Sequence, residues 1–76
     1  MSRLANISGK EAVKVFLKAG YIIQRQTASH IILYNPQPGR PMLSIPDHHE
    51  LAPNLLRDQI KLAGLTIDEF LRLRRG

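Results

Sequence analysis

The residues of this chain best suited to chemistry are its three histidines, because imidazole exchanges a proton near neutral pH. His30 directly follows Ser29 at the start of a predicted strand, where a side chain can reach a surface groove. A histidine placed there can act as a general base or acid, which contributes roughly 10²–10⁴-fold to a rate. The residues alone favour a plainer interpretation, in which His30 completes its hydrogen bonds at the end of a hairpin.

The other two histidines lie in the polar segment Asp47-His48-His49-Glu50, whose side chains are of metal-ligating types. Adjacent residues do not converge on one ion without special backbone geometry, and no ligand outside the segment is evident. We therefore predict neither a metal nor a cofactor. The chain contains no cysteine, which excludes disulfides, cysteine-based zinc sites and thiol nucleophiles.

Basic residues outnumber acidic ones in this chain. Eleven Lys and Arg against six Asp and Glu give a formal net charge of +5, which favours a polyanionic partner such as RNA, DNA or an acidic protein surface. Lys10, Lys14 and Lys18 are four residues apart and form one stripe on a predicted helix. Arg25 could clamp a phosphate, and Ser29 could offer it a hydroxyl or a backbone N–H. The alternatives are a solvated helix face, a solvated strand arginine and a simple turn serine.

Capping signals and apolar spacing predict the elements that must position these groups. Two capping boxes, each a Ser or Thr three residues before a Glu, begin helices at Ser8 and Thr66. Pro53 fits the first turn of another helix, and Gly20 and Gly64 are placed to end the first two helices. The segments richest in strand-forming residues are 21–27, 30–34 and 42–45.

The predicted order is α-β-β-β-α-α, in one domain over residues 1–76. The simplest α+β arrangement is a three-stranded antiparallel sheet with the helices on one face. Alternation along the second strand places His30, Ile32 and Tyr34 on one face and Ile31 and Leu33 on the other. The face without helices is then partly open to solvent or to a partner. Tyr34 could stack on a base there, although a tyrosine at the edge of the core is the more ordinary interpretation.

Hydropathy narrows the class of protein further. The chain has no apolar run of about 18 residues, as a transmembrane helix would need. The segment from Met1 to Asn6 lacks the apolar region of a signal peptide. We therefore expect a cytoplasmic protein, with a marginal core because the chain is short.

Several short motifs, in order and at the right separations, resemble the HicA family, the small toxins of bacterial toxin–antitoxin pairs. They are Gly9-Lys10-Glu11, Lys18-Ala19-Gly20-Tyr21, Arg25-Gln26 with Ala28-Ser29-His30, Ile45-Pro46-Asp47-His48, and the run from Leu56-Arg57 to Glu69-Phe70. The resemblance extends from Ser8 to about Leu73. Ala28 departs from the pattern, because the family usually has glycine there, a residue that tolerates positive φ.

This resemblance implies a fold similar to a double-stranded RNA-binding domain and an mRNA-cleaving endoribonuclease activity that needs no metal or cofactor. It also implies neutralisation by a HicB-type antitoxin. The catalytic histidine of the family corresponds to His30. Double-stranded RNA-binding folds place their first helix against the RNA minor groove. The residues expected to bind RNA are Lys10, Lys14, Lys18, Arg25, Ser29 and His48. The alternative is a non-catalytic RNA-binding or protein-interaction module.

Overall fold

A computed structural model describes residues 3–76 of the chain. Its elements are α1 (Gly9–Lys18), β1 (Ile22–Gln26), β2 (His30–Tyr34), β3 (Leu43–Pro46), α2 (Pro53–Leu62) and α3 (Ile67–Arg75). The strands form one sheet in the order β1-β2-β3, and both neighbouring pairs are antiparallel. The predicted α+β class, element order and antiparallel sheet are confirmed.

The bounds of β3 differ by one residue from the prediction. We predicted a strand over residues 42–45, but β3 begins at Leu43 and ends at Pro46, which lies opposite His30. Proline has no backbone N–H. It is tolerated there because β3 is an edge strand, so no hydrogen bond to a further strand is lost. The consequence is that the polar segment after β3 begins directly beside the start of β2.

Local capping begins the helices at the predicted residues. Ser8 Oγ accepts a hydrogen bond from Glu11 N at 3.1 Å, and Glu11 Oε1 accepts one from Ser8 N at 3.2 Å. Thr66 and Glu69 make the same reciprocal pair before α3, at 3.0 and 2.8 Å. Gly20, with φ of 103°, follows the end of α1 in the left-handed region, where glycine is favoured.

The helices cover one face of the sheet and leave the other open. On β2, Ile31 and Leu33 are buried whereas His30 and Tyr34 are exposed, so the predicted alternation is confirmed. The ring centroids of Phe16 on α1 and Phe70 on α3 are 5.4 Å apart. The buried cluster draws on all three helices, on β2 and β3 and on the loops, including Leu4, Ile7, Leu43, Ile45, Leu51, Leu56 and Ile60.

The β1–β2 pair contains an irregularity that changes which side chains share a face. Ile23 lies opposite Leu33 and Arg25 lies opposite Ile32, so Gln24 is an extra residue on β1, a β-bulge. Residues directly opposite each other in a sheet share a face. In a regular strand Ile23 and Arg25 would lie on the same face; the bulge leaves Ile23 on the helix side and moves Arg25 to the open face.

Helix α1 begins directly against the end of β3. Gly9 N donates a hydrogen bond to His48 O at 2.9 Å. A Cβ added at Gly9 would lie 2.0 Å from the backbone oxygen of Pro46, so only glycine permits this approach. The contact holds the first turn of α1, with Lys10, beside the segment that follows β3.

Within residues 3–76, no helix combines the length and the apolar character needed to cross a membrane. Of the N-terminal segment interpreted above as lacking a signal peptide, Met1 and Ser2 lie outside the described residues.

Candidate nucleic-acid interface

His30 is exposed at the first residue of β2, directly after the hairpin turn. Its backbone N–H donates to Thr27 Oγ1 at 3.0 Å, and its carbonyl accepts from Thr27 N at 2.8 Å. The backbone and the hydroxyl of Thr27 thus close the Ala28-Ser29 turn without a glycine or asparagine. Across residues 3–76, Asn6 is the only non-glycine residue with positive φ. Alanine therefore occupies position 28 without left-handed backbone strain.

Thr27 is a residue that the sequence argument missed. A hydroxyl directly before a two-residue turn was the available signal, because Ser and Thr side chains satisfy nearby backbone N–H groups. Here that hydroxyl holds the backbone of the candidate catalytic residue.

Replacing Thr27 by valine is expected to loosen the turn, because His30 N loses its acceptor. We expect a loss of about 1 kcal/mol in the free energy of unfolding, the usual net value of one hydrogen bond, and faster hydrogen exchange at the His30 amide. Urea unfolding and amide exchange measure the two effects. Thr27→Ser keeps the hydroxyl and is expected to keep most of the protection; equal loss in both variants would contradict the assigned role.

The imidazole of His30 is oriented by its neighbour. Ser29 Oγ lies 3.0 Å from His30 Nδ1. When Nδ1 carries the proton and donates to that hydroxyl, Nε2 is an acceptor and can take a proton from a bound molecule. When the hydroxyl donates instead, Nε2 carries the proton and can give it. The pair therefore supports either direction of proton transfer at Nε2.

Arg25 lies on the same open face as His30. Arg25 is opposite Ile32, which is two residues along β2 from His30. Such diagonal neighbours in an antiparallel pair lie about 7–8 Å apart, a distance that the arginine side chain can span. The bulge at Gln24 is thus what places Arg25 and His30 on the same face of the sheet.

The segment after β3 is attached to the turn that carries His30. Asp47 N donates to Ser29 O at 2.9 Å, next to the pair formed by His30 and Pro46. His48 follows immediately, and its carbonyl accepts from Gly9 N at the start of α1. The hairpin turn, the end of β3 and the first turn of α1 therefore meet at one end of the molecule.

A cavity of about 290 Å³ opens at this end of the molecule. Lys10 and His48, two of the residues predicted to bind RNA, both line it. Its other lining residues are Ser8, Asp47 and His49. The structure thus places a lysine and two imidazoles beside the start of α1.

The three lysines of the predicted stripe do not share the same contacts. Lys10 and Lys14 border a groove between α1 and β1. Lys18 lies about 12 Å farther along the helix axis than Lys10, and its Nζ donates to Leu73 O at 2.9 Å. The amine of Lys18 therefore joins α1 to α3, away from the hairpin turn.

A second basic surface lies on α3, around a cavity of about 400 Å³. Its guanidinium groups belong to Arg3, Arg72, Arg74 and Arg75. Two of them are paired: Arg3 with Asp68, and Arg74 with Glu11 at 3.0 Å. The hydrogen bond from Arg74, together with the Ser8 backbone N–H, holds the pKa of Glu11 below its ordinary value of 4.5. These pairs connect α3 to the N-terminal segment and to α1.

The polar side chains of residues 47–50 lie in different parts of the structure. Glu50 Oε2 accepts from Asn6 N at 3.1 Å, whereas His48 and His49 line the cavity beside Lys10. In the part of the chain that the structure describes, no three His, Cys, Asp or Glu side chains form a group that could hold a metal ion.

Comparison with known proteins gives one match. The model of a protein family described as the HicA toxin of bacterial toxin–antitoxin systems matches residues 9–65, most of the chain. This range includes the hairpin, the segment after β3 and the first two helices. No curated protein and no solved structure matches the chain.

Proposed function

Because the chain belongs to the HicA family of toxins in bacterial toxin–antitoxin systems, we propose that it cleaves mRNA as an endoribonuclease with His30 as its proton-transfer group. The observation that carries this proposal is the exposed imidazole of His30, held by Ser29 on the same open face as Arg25. The toxin acts on cytoplasmic transcripts, and the family implies an antitoxin partner.

RNA carries its own nucleophile, the ribose 2′-hydroxyl. In the proposed reaction Nε2 of His30 takes the proton of this hydroxyl, and the oxygen attacks the adjacent phosphorus. The bond from phosphorus to the 5′-oxygen of the next nucleotide breaks, and that oxygen receives a proton from solvent water as it leaves. His30 then returns the proton it took to solvent. The products are a 2′,3′-cyclic phosphate and a free 5′-hydroxyl. This sequence requires neither a metal ion nor a cofactor.

The neighbouring cations supply positive charge for the transition state. Negative charge increases on the phosphoryl oxygens in the transition state, and fixed positive charge nearby stabilises it. In this proposal Arg25 contacts the reacting phosphate, and Ser29 offers it a hydroxyl or a backbone N–H. Lys10 extends the positive surface beyond the turn for a neighbouring phosphate, and the His48 ring can hydrogen-bond to the same phosphate. Lys14 continues the positive surface along α1, whereas Lys18 contributes mainly through its contact with α3.

The shape of this region suits a polymer rather than a small molecule. His30, Arg25 and Lys10 are all exposed, and a ribose-phosphate chain can lie across the turn without entering a pocket. Affinity for such a chain derives mainly from phosphate contacts and falls with salt.

The proposal is tested by incubating the purified chain with two single-stranded RNAs of one sequence in EDTA. One RNA is unmodified, and the other carries 2′-deoxyribose at the nucleotide where the first is cut. We expect cleavage of the unmodified RNA to a 2′,3′-cyclic phosphate, and no cleavage at the modified nucleotide, because the nucleophile is missing. Gel electrophoresis and mass spectrometry of the ends measure both.

The alternatives give different outcomes in the same experiment. A non-catalytic RNA-binding module would bind both RNAs at low salt and cleave neither. A protein-interaction module would bind neither. Cleavage at the 2′-deoxy nucleotide would contradict the proposed nucleophile.

A further inference from the structure

A groove of about 250 Å³ separates α1 from the edge strand β1, beside the proposed RNA surface. Its floor is aliphatic and is formed by Val13, Leu17, Ile23 and Ile31. Its borders are polar and are formed by Lys10, Lys14 and Gln26. The proposed RNA reaction uses the two lysines but gives no role to the floor.

The floor exposes apolar surface that the core does not need. Leu17 of α1 is 39% exposed, and Ile23 of β1 is 47% exposed. All five residues of β1 are exposed, and β1 is an edge strand of the sheet. Contiguous apolar surface of this kind, bordered by polar residues, typically marks an interaction site.

The two lysines determine the sign of the occupant's charge. Lys10 and Lys14 are about 6 Å apart along the helix axis. In residues 3–76 the only ion pairs are Arg3 with Asp68 and Arg74 with Glu11, so neither lysine is paired with a carboxylate of the described chain. An occupant with carboxylates at this spacing would complement both.

The outer edge of β1 adds backbone groups to the same groove. Thr27 and His30 are joined by a backbone hydrogen bond, and hydrogen-bonded and non-hydrogen-bonded pairs alternate along an antiparallel ladder. Gln26 is the next residue on β1, so its N–H and C=O point away from β2. They are available to an extended segment beside the sheet.

We propose that this groove is the docking site of the antitoxin, through a segment that inserts apolar side chains between Leu17 and Ile23 and sets carboxylates against Lys10 and Lys14. The inference rests on the proposed function in one respect: the occupant excludes RNA by covering the lysines that RNA would use. RNA itself fits the floor poorly, because nucleic acids bind through phosphate contacts and stack on aromatic rings. An aliphatic floor between two cations favours an acidic protein segment.

The absence of cysteine from the sequence allows a direct test with single-cysteine variants. Ile23→Cys places a thiol in the groove, and Ile22→Cys places one on the opposite face, opposite Tyr34. The two positions are matched, at 47% and 52% exposure. The probe is a purified HicB-type antitoxin, added to saturation before labelling with a maleimide.

We expect the antitoxin to slow labelling at position 23 by at least tenfold and to leave position 22 within twofold of its rate in the free chain. Equal protection of both positions, or of neither, would overturn the proposal. Protection of position 23 by a single-stranded RNA but not by the antitoxin would assign the groove to RNA and overturn it as well. The labelling does not require RNA cleavage, so it remains decisive if the nuclease proposal fails.

Serine variants at the same two positions separate docking from catalysis. Ile23→Ser is expected to weaken antitoxin binding at least tenfold, because an aliphatic contact is lost, and to leave RNA cleavage within twofold. Ile22→Ser is expected to leave both unchanged. Unchanged antitoxin affinity in Ile23→Ser, with a folded circular dichroism spectrum, would contradict the assignment of Ile23 as an anchor.

Discussion

Replacing His30 with alanine is expected to reduce RNA cleavage by about 10²–10⁴-fold, the usual contribution of a positioned acid–base group. The fold is expected to survive, because the side chain is exposed and Thr27 holds position 30 through backbone atoms. Single-turnover cleavage rates and thermal unfolding measure the two effects. In bacteria, inducing the parent chain is expected to stop growth and degrade transcripts, whereas inducing the variant is not.

Two controls separate proton transfer from other roles of His30. His30→Gln keeps a hydrogen-bonding side chain next to Ser29 but cannot transfer a proton near neutral pH, so it is expected to fail as completely as alanine. Affinity for the RNA with 2′-deoxyribose at the cut nucleotide is expected to change only a few-fold in both variants. Cleavage near the parent rate in either variant would remove His30 from the mechanism.

Replacing Gly9 with alanine is expected to destabilise the protein by about 3 kcal/mol, in the range of overpacked sites. The added Cβ would meet Pro46 O at 2.0 Å, Pro46 C at 3.1 Å and Asp47 Cα at 3.2 Å. All three are backbone atoms, so no side-chain rotation relieves the contact. Helix propensity alone predicts the opposite sign, since alanine is favoured over glycine by about 1 kcal/mol. Urea unfolding of the parent and the variant measures the difference.

Gly39→Ala is the matched control for this prediction. Gly39 has φ of 78° but nothing within 4 Å of its added Cβ, so alanine there meets only the left-handed backbone cost of about 1–2 kcal/mol. A smaller loss at position 9 than at position 39 would contradict the close packing of α1 on β3. We also expect Gly9→Ala to weaken RNA binding, because it displaces Lys10 from His48.

Short-range signals in the sequence determined most of the secondary structure. The capping boxes at Ser8 and Thr66 and the glycine after α1 act through atoms within a few residues, and each is found where it was predicted. The alternation on β2 is equally local, and it separates His30 from the buried side chains. The motifs that resemble HicA toxins are sequence features too, and the family match agrees with them.

Only the tertiary structure decided which of the candidate groups come together. The face of Arg25 depends on the extra residue Gln24, and period-two alternation contains no signal for where a register shifts. Lys18 looked equivalent to Lys10 until α3 supplied a carbonyl acceptor 55 residues away.

The same distinction explains why Leu17 is half exposed and why Gly9 must be glycine. Their environments are set by β1 and β3, separate segments that pack beside α1 only in the folded chain. The spacing of apolar and polar residues within a segment determines whether it forms a helix or a strand and which of its side chains share a face. Which face meets solvent, which meets a neighbour and which lies next to His30 depend on packing between segments, because those contacts form only when the chain has folded.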